Sequence, residues 1–268
     1  MLDIKSLEEK AKELRKNIVE MVYLAKAGHP GGSLSSIDIL NYIYMNEIDF
    51  NSQNRSRVII SKGHVTPAIY SVLISKGIID RSEIGTFRQV NSKLQGHPDR
   101  NKIKELDANT GLLGQGLSIG IGMALAKKLK NDDNNIFVIL GDGEIQEGQI
   151  WEALMSGSHY KLDNLIAILD YNGLSSKGDV NKSMNLEPIK DKVEAFGWHV
   201  ICIDGHDYKE IDSAIKEAKT INGKPTFIIA KTVKGKGVSF MENNPKWHSG
   251  ALKDEEYIEA IENVERGF

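Results

Sequence analysis

The sequence is poor in cysteine, with only one among its 268 residues. A single thiol allows neither an intrachain disulfide nor a thiolate metal site within the chain. We expect this residue, Cys202, to be buried, since it stands in the apolar run at residues 200–203. The N-terminus has no apolar stretch of the kind found in signal peptides or membrane-spanning helices, so we expect a cytoplasmic protein without a membrane partner.

An excess of charge of one sign is also missing. The 34 basic and 37 acidic residues leave a net charge of -3, and no long basic block interrupts this balance. Proteins that bind nucleic acid usually present a basic surface, so we expect no nucleic-acid partner. The chain also lacks repeats and linkers, and with 40% hydrophobic residues it is expected to form one domain over residues 1–268.

Apolar runs alternate with helical patterns along most of the chain. Four runs have the length and composition of buried parallel strands, at residues 136–140, 165–169, 199–203 and 226–231. Helical patterns lie near residues 6–27, 33–47, 66 onward, 117–130, 148–160, 188–196 and 207–221, with a short strand at 58–61. This rhythm predicts an α/β fold with a doubly wound, mostly parallel sheet and helices on both faces. Ligands of such sheets bind at the carboxyl ends of the strands.

Two of these predicted strands are followed directly by polar motifs. Gly-Asp-Gly with Asp142 at its centre follows the strand at 136–140, and Asp-Tyr-Asn ending at Asn172 follows the strand at 165–169. If the strands are neighbours, the Asp142 carboxylate, the Asn172 amide oxygen and the Leu174 carbonyl suit a magnesium or calcium ion that also takes phosphate oxygens. Gly143 has no side chain to keep a diphosphate from the backbone. Two unrelated surface turns remain the alternative, because these residue types are common in turns.

Gly-Asp-Gly, followed about 30 residues later by Asn, resembles the thiamin diphosphate signature. The longer strings GDGEIQEG at residues 141–148 and KLDNLIA at residues 161–167 resemble transketolase specifically. The resemblance extends over residues 28–250. It implies an enzyme that uses thiamin diphosphate and Mg²⁺ (or Ca²⁺) to transfer a two-carbon ketol unit from a ketose phosphate to an aldose phosphate.

Four histidines stand in turns, three of them beside glycines: His29, His64, His97 and His248. Imidazoles at such positions can hydrogen-bond hydroxyls and shuttle protons near neutral pH, although any single one is more often structural. By the resemblance, His29 and His97 would contact the substrate's hydroxyls and reacting carbonyl oxygen. His64 would lie against the cofactor diphosphate, and His248 would touch both diphosphate and substrate.

The resemblance also assigns a glycine loop and two acids. The string GLLGQG at residues 111–116 is similar to the family's loop beside the cofactor rings, so Gly111, Leu112 and Leu113 would contact the cofactor, although the family often has proline or serine at the position of Leu112. Glu147 and Glu152 match acids that relay protons at the family's subunit interface; both could instead complement a helix dipole. The remaining histidines, His159, His199 and His206, are expected to be structural, and His206 has a small chance of contacting ligand.

The resemblance covers only the first of the three domains of full-length transketolases. The family's second domain supplies the glutamate that hydrogen-bonds the aminopyrimidine and the residues that bind the sugar phosphate. We therefore expect a partner, namely a separate C-terminal transketolase subunit, in a dimer of heterodimers, and no activity without it. The helical spacing of residues 254–265 favours a natural split over a truncation. The alternatives are a split carboligase or decarboxylase subunit that acts on another ketose or a 2-oxo acid, and a subunit that binds the cofactor without catalysis.

Overall fold

A parallel sheet of five strands lies at the centre of the structure, a computed structural model that describes residues 2–267. The strands are β1 (Arg57–Ile60), β2 (Ile136–Gly141), β3 (Leu165–Tyr171), β6 (His199–Asp204) and β7 (Thr226–Lys231), hydrogen-bonded in the order β1-β2-β3-β7-β6. Between β3 and β6, β4 (Leu174–Ser175) and β5 (Gly178–Asp179) form a separate antiparallel hairpin. The predicted parallel α/β sheet is confirmed.

Helices cover both faces of the sheet, as predicted. They are α1 (Ile4–Ala25), α2 (Pro30–Asn46), α3 (Thr66–Ser75), α4 (Gln115–Leu129), α5 (Gly148–His159), α6 (Val180–Met184), α7 (Ile189–Ala195), α8 (Tyr208–Ala218) and α9 (Asp254–Arg266). Short 3₁₀ turns lie at Arg81–Thr86, Glu144–Gln146 and Pro245–His248. Between residues 2 and 267, the structure contains no helix that is both long and apolar enough to cross a membrane.

Alternate residues of the strands point into two separate apolar layers. On β2, Phe137 and Ile139 pack into the layer formed with α1, α2, α3, α8 and α9, whereas Val138 and Leu140 pack into the layer formed with α4, α5 and α7. Because both faces are covered, the central strands are apolar along their whole length, which is the pattern of a buried parallel sheet.

Two details differ from the sequence-based expectations. Helix α2 begins at Pro30, three residues before the predicted start at Ser33, and His29 occupies its N-cap position. Proline suits the first turn of a helix because its φ angle is preset and no backbone N–H is lost there. The prediction that Cys202 is buried was wrong: β6 pairs only with β7 and forms an edge of the sheet, so this thiol is exposed.

A buried ion pair holds the beginning of β1. The Asp107 carboxylate accepts two hydrogen bonds from the Arg55 guanidinium, at 2.9 and 3.0 Å, and a third from the Val58 backbone N–H at 2.8 Å. Asp107 and Arg55 are 5% and 6% exposed, so neither charge can be solvated if the other is removed. The pair therefore fixes the strand that leads to Lys62 and His64.

We expect Asp107→Ala to lower the free energy of unfolding by about 3–5 kcal/mol, because it leaves Arg55 buried without a counter-charge. Urea unfolding followed by circular dichroism measures this change. Glu13→Ala is the control, since Glu13 belongs to an exposed pair with Lys10 at 2.8 Å and should contribute at most about 1 kcal/mol. Equal losses in the two variants would contradict the assignment.

Candidate functional site

The carboxyl ends of β2 and β3 bring Asp142 and Asn172 to the same turn. Gly141 is paired with Asp170 at the end of the two parallel strands, so the residues that follow leave the sheet side by side. The Asp142 carboxylate accepts the Gly173 N–H at 2.6 Å, and Gly173 directly follows Asn172. The sequence-based expectation that Asp142 and Asn172 lie together at the sheet edge therefore agrees with the geometry.

The Leu174 carbonyl lies beside these two side chains and accepts a hydrogen bond from a lysine. Lys234 Nζ donates to this oxygen at 2.9 Å, and the Leu174 N–H donates to Asn172 Oδ1 at 3.2 Å. Lys234 is only 2% exposed. Burial lowers the pKa of Lys234 to about 8, although the nearby Asp142 charge acts in the opposite direction. A cationic side chain thus stands next to the predicted cation ligands.

A cavity of about 410 Å³ opens over this turn. Most of the residues singled out from the sequence line it. They are His29, His64, Gly111, Leu113, Asp142, Gly143, Glu147, Asn172, Leu174 and His248. The cavity wall also includes Lys62, Glu144 and Lys234, which the sequence analysis did not assign to the site.

Three imidazoles form a cluster at this cavity. The ring centroids of His29, His64 and His248 lie 5.0 to 5.6 Å apart, and the Nδ1 atoms of His29 and His248 are buried without a hydrogen-bond partner among the residues described. Burial is the main cause that lowers the pKa of His29 and of His248 to about 4, with smaller effects of Arg88 and Lys234 respectively. Burial also holds the pKa of His64 well below its usual value. All three rings are therefore neutral at pH 7.

Two of the predicted site residues do not line the cavity. His97 is exposed and lies behind the glycine loop, so close that a Cβ atom on Gly111 would meet its Cδ2 at 3.1 Å. The side chain of Leu112 is 81% exposed. The contacts of His97 and Leu112 with substrate and cofactor stay predictions. His97 is close enough to His29 to contribute to the low pKa of His29, after burial and Arg88.

The two acids that the sequence places at the start of α5, Glu147 and Glu152, are both exposed. Glu147 precedes the helix, lines the cavity and packs against the glycine loop, where a Cβ atom on Gly114 would lie 2.9 Å from its Cβ. Glu152 lies further along α5. Their role as a proton relay at a subunit interface stays a prediction. Of the histidines expected to be structural, His206 accepts the Val233 N–H at Nε2 (2.9 Å) and contacts Asp38 through Nδ1 (2.7 Å).

A fully buried carboxylate organises the floor of the cavity. Asp170 is 0% exposed and accepts hydrogen bonds from Lys62, Thr232, Ser35 at 2.5 Å and Asn172 Nδ2 at 3.2 Å. The Lys62 ammonium lowers the pKa of Asp170 despite the opposing effect of burial. Asp170 accepts from the Asn172 amide nitrogen and the Leu174 N–H donates to the amide oxygen, so both hydrogen bonds fix the orientation of this side chain.

Unlike Asp170, the Asp142 carboxylate accepts no hydrogen bond from a lysine or a hydroxyl group among residues 2–267. Burial raises the pKa of Asp142 to about 6, and the nearby negative charge of Asp170 adds to this effect. Its hydrogen-bond donors are the backbone N–H groups of Gly143 at 2.8 Å and Gly173. A buried carboxylate in this state is stabilised by a cation, which fits the chemistry of a metal ligand.

Glu144 joins three segments of the site. Its carboxylate accepts the N–H groups of Gly114 at 2.9 Å and Gly141 at 3.0 Å, together with the hydroxyl of Ser61. These donors lie at the glycine loop and at the ends of β2 and β1. These three hydrogen bonds fix the loop that carries Gly111 and Leu113 to the ends of the two strands. Burial raises the pKa of Glu144, and the same three hydrogen bonds oppose this shift.

The donor set therefore fits a divalent cation with a diphosphate. Within residues 2–267 no group of three His, Cys, Asp or Glu side chains is placed to bind a metal. A cation here would have mixed oxygen ligands from a carboxylate, an amide and a backbone carbonyl, which suit Mg²⁺ or Ca²⁺. Lys62, Lys234 and the N–H groups of the neutral imidazoles could hold the phosphate oxygens.

Lys62 and Lys234 stand shortly after the carboxyl ends of strands, as Asp142 and Asn172 do. Lys62 comes shortly after the end of β1, and Lys234 comes shortly after the end of β7. Extending the search for polar side chains from β2 and β3 to the carboxyl ends of every predicted strand would have identified both. Arg88, which contributes to the low pKa of His29, had no such signal because it lies in an irregular segment.

Comparisons with known proteins agree with this geometry. The family model described as "Transketolase, thiamine diphosphate binding domain" matches residues 7–265. A relative from Phocaeicola vulgatus, which is named for a subunit of apulose-4-phosphate transketolase, is 41% identical, with 98% of this chain and 95% of the relative covered. The 6-deoxy-6-sulfo-D-fructose transketolase subunit SqwG of Clostridium sp. is 40% identical, with 97% and 96% covered.

A solved structure extends the comparison to the fold. The crystal structure of transketolase from Campylobacter jejuni superposes with a TM-score of 0.91 at 37% identity, covering 98% of this chain. The aligned region is 43% of that transketolase chain, so the present chain spans less than half of its length. The chain thus belongs to the transketolase family and represents its thiamine diphosphate-binding domain.

Proposed function

We propose that this chain is the N-terminal subunit of a split transketolase, which transfers a two-carbon ketol unit from a ketose phosphate to an aldose phosphate. The observation that carries the proposal is the single cavity in which oxygen ligands for a cation, two buried lysines and three neutral imidazoles come together. When bound, thiamin diphosphate supplies the electron sink that cleavage of a carbon–carbon bond requires. The chain's own residues bind and orient it.

In this proposal Asp142, Asn172 and Leu174 hold Mg²⁺ (or Ca²⁺), which also takes oxygens of the diphosphate. Gly143 leaves the backbone open to the diphosphate, and His64 lies against it. Lys234 already points at the Leu174 carbonyl, so its ammonium is in place to accompany an anion that arrives with the cation.

The imidazoles would handle hydroxyls and protons of the substrate. A neutral imidazole donates a hydrogen bond from one nitrogen and accepts one at the other, which matches a sugar hydroxyl. The unpartnered Nδ1 atoms of His29 and His248 support this role. His97 would join them from behind the glycine loop, and Glu147 with Glu152 would relay protons between paired subunits.

The rest of the active site would come from a separate C-terminal subunit, in a dimer of heterodimers. Two relatives of similar length are named as transketolase subunits, and the solved transketolase chain is more than twice as long as the part that this chain matches. A covering partner would also bury the neighbouring leucines of the glycine loop, of which Leu112 is 81% exposed and Leu113 is 37% exposed.

One relative is named for apulose-4-phosphate and another for 6-deoxy-6-sulfo-D-fructose, so similar subunits are associated with different ketoses. This difference supports a transketolase subunit that acts on a ketose other than the usual sugar phosphates, whereas the names of these relatives do not favour a split carboligase or decarboxylase subunit acting on a 2-oxo acid. Recognition of the sugar's anionic end would belong to the partner subunit.

We expect Asp142→Ala to weaken Mg²⁺-dependent binding of thiamin diphosphate to the assembled enzyme by about a hundredfold or more, since even an outer-shell partner of a metal ligand contributes about ten- to a hundredfold. Isothermal titration calorimetry with and without Mg²⁺ measures this change. Asp133→Ala, at an exposed aspartate before β2, is the matched control and should bind normally. Unchanged binding by Asp142→Ala would refute the cation site.

Activity should appear only when the chain is mixed with a partner of about 300 residues, a size inferred from the domains that are missing and from typical domain lengths. In this proposal the partner provides the residues that hold the aminopyrimidine ring in an active orientation. A coupled assay of aldehyde release from a ketose phosphate, with each chain alone and with both, tests this expectation. Turnover by the purified single chain would contradict it.

Stability should fall as the pH is lowered from about 6.5 to about 4. In this range the unfolded chain binds protons at His29 and His248, whose pKa values are near 6.5 when unfolded, whereas the folded chain, with pKa values of about 4, does not. Excess proton binding by the unfolded state lowers the free energy of unfolding as pH falls. Urea unfolding at several pH values measures the slope, which should be smaller in His248→Asn; identical slopes would contradict the assignment.

A further inference from the structure

The hairpin of β4 and β5 places one lysine at the cavity wall. Lys177 stands at its tip, where its backbone N–H donates to Ser175 Oγ at 3.2 Å and the following Gly178 has a φ of +103°, a conformation that favours glycine. The segment before the hairpin is tied to the candidate cation site, because the Gly173 N–H donates to Asp142 at 2.6 Å. The backbone of Lys177 thus belongs to a short turn with its own hydrogen bond, and the residue lines the same cavity as Asp142.

Lys177 is the cavity-lining lysine whose ammonium has no partner in the part of the chain that the structure describes. Its side chain is exposed, and no carboxylate of residues 2–267 lies within ion-pair distance of its Nζ. By contrast, Lys62 is paired with Asp170, and Lys234 donates to the Leu174 carbonyl. The positive charge of Lys177 is therefore available to a ligand.

The hairpin faces the end of the cavity where the cation ligands lie. A Cβ atom on Gly143 would lie 3.4 Å from Ser175 Cβ, so the hairpin packs against the Gly-Asp-Gly turn. Ser175, Ser176 and Lys177 line the same cavity as Asp142. A group bound between the cation and this hairpin meets hydroxyls and an ammonium, which are donors to an anion.

The negative charges of a bound diphosphate and Asp142 would leave a place for one further positive charge at this end of the cavity. A diphosphate ester carries roughly two to three negative charges near neutral pH, and the Asp142 carboxylate adds one more. Mg²⁺ and Lys234 offset about three of these charges, whereas the charge of Lys62 is already matched by Asp170. Up to about one negative charge is left, which the Lys177 ammonium would neutralise.

We propose that Lys177 is a binding residue for the cofactor diphosphate, to which its ammonium donates from the hairpin tip. This inference rests on the proposed function, since it takes thiamin diphosphate with a divalent cation as the ligand of the cavity. Lys177 contributes to the affinity for the cofactor, because its ammonium binds the diphosphate. It lies on an exposed turn. Its removal should leave the fold intact.

The test uses the chain assembled with its partner and compares Lys177→Ala with Lys177→Arg and Lys182→Ala. Lys182 is an exposed lysine on α6, five positions later, and does not line the cavity. We expect Lys177→Ala to raise the Kd of thiamin diphosphate with Mg²⁺ about five- to tenfold in calorimetry, with a smaller effect at high salt. Lys177→Arg should stay within about twofold of the unsubstituted protein, and Lys182→Ala should not differ from it.

Inorganic pyrophosphate with Mg²⁺ serves as the second probe, because it contains only the group that Lys177 is proposed to bind. The same loss of affinity for this probe supports the inference, and a loss confined to thiamin diphosphate overturns it. Equal losses in Lys177→Ala and Lys182→Ala also overturn it, because net charge would then explain the effect. Normal binding by Lys177→Ala overturns this inference alone, whereas no binding by the unsubstituted enzyme overturns the proposed function as well.

Discussion

The parallel pairing of β2 with β3 is the constraint on which the site depends. Its register sets Gly141 beside Asp170, so both strands end at the same level and the next residues of each enter one turn. A shift of one residue would turn the side chains of either strand to the opposite face of the sheet. The apolar residues on both faces of these strands hold the register, and the polar residues at their ends depend on it.

Asp170 and Asp142 are both buried carboxylates, but their different hydrogen-bond donors suit them to different roles. Asp170 is neutralised within the protein by Lys62 and by two hydroxyl donors, so it serves as a fixed part of the floor. Asp142, which has only backbone donors, has a raised pKa and is suited to a cation. The ionised Asp170 contributes to this raised pKa, so the internal ion pair and the candidate cation site are electrostatically coupled.

The exposed residues at the cavity indicate what the single chain leaves uncovered. Leu112 presents most of its side chain to solvent, Glu147 is exposed at the cavity wall, and His97 stands behind Gly111. In the proposed assembly, the partner subunit would cover these groups.

The sequence by itself determined the sheet, most helix positions and the family, because these depend on local periodicity and on short motifs such as Gly141 to Gly143 that stand directly after a strand. It also identified half of the residues of the cavity wall, among them Asp142 and Asn172. It assigned Asp142 to the cation, but it could not show that Asp170 is paired inside the protein, nor assign Lys62 and Lys234 to the site. Lys62 and Asp170 are 108 positions apart, and their pairing exists only when β1, β2 and β3 are assembled.

Burial was the other property that only the tertiary structure decided. Cys202 lies in an apolar run but is exposed, since β6 is at an edge of the sheet. The three imidazoles at positions 29, 64 and 248 form one cluster because α2, the turn after β1 and a 3₁₀ turn near the C-terminus meet there. Local sequence fixes which residues follow a strand, whereas the order of strands and the packing of distant segments fix which of them share a cavity and lose their water.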